Sequence, residues 1–135
     1  MLVLPRSSSA CLADVSFLAV RGWALKVAGA ALAASLLLPW FYCAHEGGRF
    51  ATAGWDTEPG FTLGVLACAC AIAVAGHFDR SLIAVLCTVP AVALILWMLP
   101  RGERYSCYDL GPGAFIALAV TALALTTATR QLLRR

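Results

Sequence analysis

Apolar residues in this chain come in four blocks, and the charged residues fall between the blocks instead of at helical spacing inside them. The blocks cover about 23–42, 61–76, 81–99 and 113–129. Each is close to the ~20 residues a helix needs to cross ~30 Å of hydrocarbon. A soluble bundle would carry one apolar stripe per helix, with charge on the opposite face. Backbone groups in hydrocarbon must find partners within their own segment, so the blocks predict helices. The pattern therefore predicts an all-α membrane protein, a four-transmembrane-helix bundle with short loops. A tail over 1–22, outer loops over 43–60 and 100–112, and a basic tail over 130–135 complete it.

The blocks are not equivalent. The third holds Leu82, Ile83, Leu86, Leu94, Ile95 and Leu96 and inserts strongly on its own. The fourth is diluted by alanines and by Thr121, Thr126, Thr127 and Thr129, so it depends on neighbouring helices. Small residues four apart, such as Gly29 and Ala33, Gly64 and Cys68, and Gly113, Ala117 and Thr121, predict close helix approach with threonine hydrogen bonds between helices. Pro39 near the end of the first block and Pro90 inside the third predict kinks. The apolar stretch before Pro5 is too short for a signal-peptide core.

Composition sharpens this reading: 61% of residues are apolar and 13% charged, too few to solvate a soluble surface. Arg6, Arg21, Lys26, Arg80, Arg130, Arg134 and Arg135 lie on one side of the predicted membrane, against Arg49, Arg101 and Arg104 on the other. Positive flanks stay in the cytoplasm, so both termini and the turn at 77–80 are expected inside. Arg21, Lys26, Arg80, Arg130, Arg134 and Arg135 are expected to face anionic headgroups. Trp40, Phe41, Tyr42, Phe61 and Trp97 read as an outer aromatic belt, and Trp23 as the inner boundary. The expected location is the cell membrane as a multi-pass protein, and the excess of arginine over lysine points to a bacterial inner membrane. Expected partners are the lipid bilayer and another membrane protein or a second copy of the chain, with no nucleic acid.

Topology also sorts the six cysteines. Cys43 and Cys107 alone fall outside, in a space that permits oxidation, and are expected to form a disulfide tying the two outer loops together. Cα atoms more than about 7 Å apart would argue against it. Cys68 and Cys70 point to nearly opposite faces of a helix and, with Cys87, read as packing residues. His45 and His77 sit on opposite sides of the membrane and cannot share a ligand. Lys26 is the sole ionisable residue inside a span, which disfavours a transport or proton pathway. No catalytic residue, metal site or cofactor is expected. The outer loops bring His45, Glu46, Arg49, Trp55, Asp56 and Glu58 opposite Tyr105, Tyr108 and Asp109, a candidate cap with a surface for a ligand or partner.

Leu38, Pro39 and Trp40 closing the first helix, with Gly54 and Trp55 opening towards the second, resemble a pattern in small uncharacterised bacterial four-helix membrane proteins. The resemblance implies four spans and no catalytic residues to carry over. The expected role is a non-enzymatic accessory or structural subunit. The alternatives are a small transporter or channel, and a membrane thiol-redox protein using the outer cysteines. A tightly packed apolar interior would favour the first, a continuous polar cavity the second, and a reversible disulfide beside a quinone-sized pocket the third.

Overall fold

The structure is a computed structural model describing residues 9–45, 48–101 and 107–134, with α1 described at side-chain level from Gly22 onward. It contains four helices, α1 (Ser9–Ser35), α2 (Pro59–His77), α3 (Ser81–Met98) and α4 (Pro112–Leu133). Three strands accompany them, β1 (Pro39–His45), β2 (Gly48–Ala53) and β3 (Cys107–Leu110). The four-helix expectation holds, while the all-α and short-loop expectations do not, because the α1–α2 and α3–α4 connections both contribute to one antiparallel sheet of order β2-β1-β3.

The first predicted span is the one most displaced. Its helix ends at Ser35, and Pro39 to Tyr42, expected as its last residues, form a strand instead. Helix is likewise present from Ser9, within the expected tail. Pro39 stops α1 because its ring would collide with the carbonyl four residues earlier, that of Ser35, and because Leu38 before it is pushed away from helical ψ. The freed carbonyls find new donors. Leu36, Leu37 and Leu38 N–H groups donate to Ala33, Ala34 and Ser35, and Trp55 N–H donates to the Leu36 carbonyl at 2.9 Å. The Ser35 hydroxyl donates to the Leu32 carbonyl at 2.6 Å. α2 and α4 exceed their predicted bounds, α4 by four residues at its C-terminal end, and α3 ends one residue short of its own.

Contacts run α1 to α2, α2 to α3, α3 to α4 and α4 back to α1, so the helices close a ring. Gly22 lies against Gly76, and Gly29 against Ala69 and Ala73, which makes α1 and α2 antiparallel. A Cβ on Gly22 would stand 2.6 Å from the Gly76 carbonyl oxygen, so backbones touch there. Three residues link α2 to α3. Asp79 takes a left-handed φ of 51°, and Arg80 N–H donates to the Ala75 carbonyl at 2.9 Å. That is a Schellman stop with aspartate in the usual glycine position.

Buried positions step by three and four along every helix: Leu25, Ala28, Leu32 and Ser35 on α1; Thr62, Val65, Ala69, Ile72 and Gly76 on α2. On α3 they are Ser81, Ala84, Thr88, Ala91, Ile95 and Met98, and on α4 Ala114, Ala117, Thr121, Ala124, Ala128 and Gln131. This is the seam of a left-handed bundle. Its inner face is built mainly from small side chains, whereas Leu63, Val74, Leu82, Leu86, Val89, Leu96, Phe115 and Leu123 point outward. In water that much exposed apolar surface would be an aggregation liability. Against lipid tails it costs nothing, and close packing of small residues supplies the cohesion. Three of the described helical segments, Pro59–His77, Ser81–Arg101 and Pro112–Leu133, are long and apolar enough to cross a membrane.

The threonines behave differently from expectation. Thr88 and Thr121 donate to the Ala84 and Ala117 carbonyls of their own helices, and Thr126, Thr127 and Thr129 likewise bond within α4. A hydroxyl satisfied one turn back is neutral towards the neighbouring helix, so what threonine contributes to the seam is size.

Candidate functional site

The most organised region is the end of the bundle under the sheet. In the β1–β2 ladder Pro39 pairs with Ala53 and Phe41 with Thr52, leaving Trp40 as the extra residue of a β-bulge. A regular strand would send Trp40 and Phe41 to opposite faces, and the bulge re-aims one of them. Both are consequently buried, Trp40 completely. The Trp40 indole N–H donates to the Ser35 carbonyl at 2.8 Å, and its ring meets Phe61 edge-on with centroids 5.1 Å apart. Gly54 and Gly113 flank the indole, where a Cβ on either would come within 2.5 and 2.7 Å of ring atoms. Gly111 N–H donates to the Trp40 carbonyl at 2.7 Å. Hydroxyls of Thr57 and Thr62 both donate to the Gly54 carbonyl, at 2.6 and 3.1 Å, so the turn holding Gly54 is fastened to α2.

Trp40, Phe41 and Phe61 are therefore core residues that close the bundle end, and the expected outer belt is corrected at these positions. Their burial comes from a sheet folding over the bundle, which no linear aromatic cluster announces. Trp97 and Trp23 are exposed, as a belt requires.

Below the sheet edge lies a polar rim. The Arg101 guanidinium sits over the Trp97 ring, 3.5 Å from its centroid, and donates to Glu58 Oε2 at 3.1 Å. The pair joins the start of α2 to the end of the α3 segment. Beneath it a shallow apolar groove of about 370 Å³ is lined by Pro90, Ala93, Leu94 and Trp97. The sequence reading missed this arrangement, although Trp97 and Arg101 stand four residues apart, the spacing that brings side chains together on one helix face.

Cys43 and Cys107 are directly opposed residues on β1 and β3, with an irregularity that skips Tyr108. Cys43 Sγ also lies 3.6 Å from Thr52 Oγ1. Among the remaining expected cap residues, Trp55 and Asp56 are exposed in the turn Gly54–Asp56, Glu58 is in the rim, and Asp109 is exposed on β3. His45 and Arg49 pair into the β1–β2 ladder and Tyr108 lies within β3, but only their backbones are described. Glu46 and Tyr105 lie outside the described residues. The sheet thus unites the α1–α2 and α3–α4 connections, and among the described residues no three metal-ligating side chains converge.

At the other end, Arg80, Arg130 and Arg134 are exposed and Lys26 is half-buried one turn from exposed Trp23. The Arg21 side chain is not described, and Arg135 lies outside the described residues. Ser81 and Gln131 are buried at this end with no hydrogen-bond partner for the Ser81 hydroxyl or the Gln131 amide. Cys68 and Cys87 are half-buried and Cys70 exposed, all as free thiols.

No family model, curated protein or solved structure matches the chain. What the geometry defines is a class, a helical bundle apolar enough for a membrane and closed at one end by a small sheet.

Proposed function

We propose that this chain is a four-span, multi-pass protein of the cell membrane, and that it works as a non-enzymatic accessory or structural subunit. The observation that carries the reading is the size distribution, with small residues lining the bundle seam and large apolar ones facing outward. The seam holds no charged residue among the described positions. Its buried Thr88 and Thr121 hydroxyls are consumed by their own helices. A substrate pathway would need polar groups left free along the seam, and the unpartnered ones among the described residues, Ser81 and Gln131, lie at one end, in the first turn of α3 and the last turn of α4. α1 completes the ring against both α2 and α4, and at 27 residues it reaches about 40 Å. These features support a fourth span.

Both termini are inside in this reading. It is supported by Arg80, Arg130 and Arg134 lying at the end opposite the acidic Asp56, Glu58 and Asp109. Cys43 and Cys107 form a disulfide that pins β3 to β1. Directly opposed residues of an antiparallel pair have Cα atoms ~4.5–5.5 Å apart, within disulfide range. Cys43 is also not among the free thiols of the described residues.

Affinity purification of the tagged protein from native membranes in mild detergent, with mass spectrometry and native sizing, tests the role. A stoichiometric membrane-protein partner is expected, and a monodisperse monomer with no partner would overturn the subunit reading. The opposed cysteines keep a thiol-redox role as the second reading. It would be favoured if the bond cycles at the redox poise of the outer space.

A further inference from the structure

We propose that the seam between α2 and α3, in its half next to the sheet, holds one zwitterionic phospholipid with a primary-ammonium headgroup. This rests on the membrane-spanning reading of α2 and α3. Pro90, Ala93, Leu94 and Trp97 lie along one face of α3 over about two turns, roughly 10 Å, and line the apolar groove. Leu94 lies over Gly64 of α2, where a Cβ would come within 2.8 Å of Leu94 Cδ1, so the Leu94 wall of the groove borders α2. Ala93 adds only a methyl between the proline ring and the indole. At about 370 Å³ the groove is near the lower end of small-molecule sites, and it has the shape and polarity for one acyl chain.

The rim selects the headgroup. Arg101 and Glu58 stand side by side at the end of the groove, one cation and one anion 3.1 Å apart, with the guanidinium stacked on the Trp97 wall. A phosphate beside a primary ammonium carries the complementary pair. Arg101 has five N–H donors and spends one on Glu58 Oε2, leaving others for phosphate oxygens. The Glu58 carboxylate in turn accepts from the ammonium. A purely anionic headgroup satisfies Arg101 and meets repulsion from Glu58, so the zwitterion is preferred.

The test is native mass spectrometry of the whole protein released from nanodiscs of equal phosphatidylethanolamine and phosphatidylglycerol, with far-UV circular dichroism as a check on folding. The expected result is one retained lipid per chain, enriched severalfold in phosphatidylethanolamine. A93F fills the groove from an exposed position and should lower retention severalfold. E58Q should shift the preference to phosphatidylglycerol, and R101Q should weaken retention of both lipids. Retention unchanged in A93F, an unaltered headgroup preference in E58Q, or an isoprenoid quinone as the retained molecule would each overturn the proposal. Alkaline carbonate washing separates the two levels. A protein that washes off the membrane brings down the spanning reading and the lipid site with it, whereas one that stays while A93F has no effect loses the lipid site alone.

Discussion

A side chain as large as Trp40 can be enclosed at a bundle end only if its neighbours give up side chains of their own. Gly54 and Gly113 do so, and the indole spends its one donor on a carbonyl that Pro39 had removed from helical bonding. Adding a methyl at either glycine forces the ring or the backbone to move, at a cost of about 1–3 kcal/mol. G54A and G113A should therefore lower stability, read by denaturant unfolding in mixed micelles with tryptophan fluorescence. G60A is the control, because a Cβ on Gly60 meets nothing within 4 Å and alanine improves the first turn of α2. It should match or exceed the parent. W40F keeps most of the burial and loses the indole donor. The Ser35 carbonyl still receives the Leu38 N–H, so that cost should fall at the low end of ~1–3 kcal/mol.

Elements show where one residue type has two outcomes. Pro39 and Pro90 both read as kinks in the sequence, yet Pro39 ends its helix and Pro90 sits inside α3. The segment downstream of each proline makes the difference. Trp40, Phe41, Tyr42 and Cys43 suit a strand and find β2 and β3 to pair with, whereas the residues after Pro90 have only helices around them and no strand to pair with, and in the proposed membrane setting an unpaired strand is forbidden. At the α2–α3 turn, the left-handed Asp79 tolerates its φ better than a branched residue would. D79V should cost about 1–2 kcal/mol, with D79G retaining more of the stability, in the same unfolding assay. For the sheet, C43S and C107S should each lose ~2–4 kcal/mol, with the double variant no worse than either. Additive losses would mean that the two sulfurs are not bonded to each other.

For the molecule as a whole, orientation is the property most open to test. A cysteine at Trp55 should react with an impermeant maleimide on intact cells, and one at Phe78 only after permeabilisation, since both residues are exposed at opposite ends. The reverse pattern would invert the topology. The number of helices, the placement of three of them and their fitness for a membrane were all legible along the chain. Those depend on the length and apolarity of each segment against a fixed hydrocarbon thickness. The chain also signalled that Cys43 and Cys107 belong to the same side. Only folding in three dimensions determines that α1 stops at Ser35, that the α1–α2 and α3–α4 connections pair as a sheet, and that Trp40 and Phe61 are core while Trp97 is not. Strand pairing joins residues some sixty positions apart, and burial at a bundle end depends on what folds over it. A local hydrophobic pattern carries neither, because an aromatic residue at the lipid boundary and one sealed beneath a β-bulge look the same along the chain.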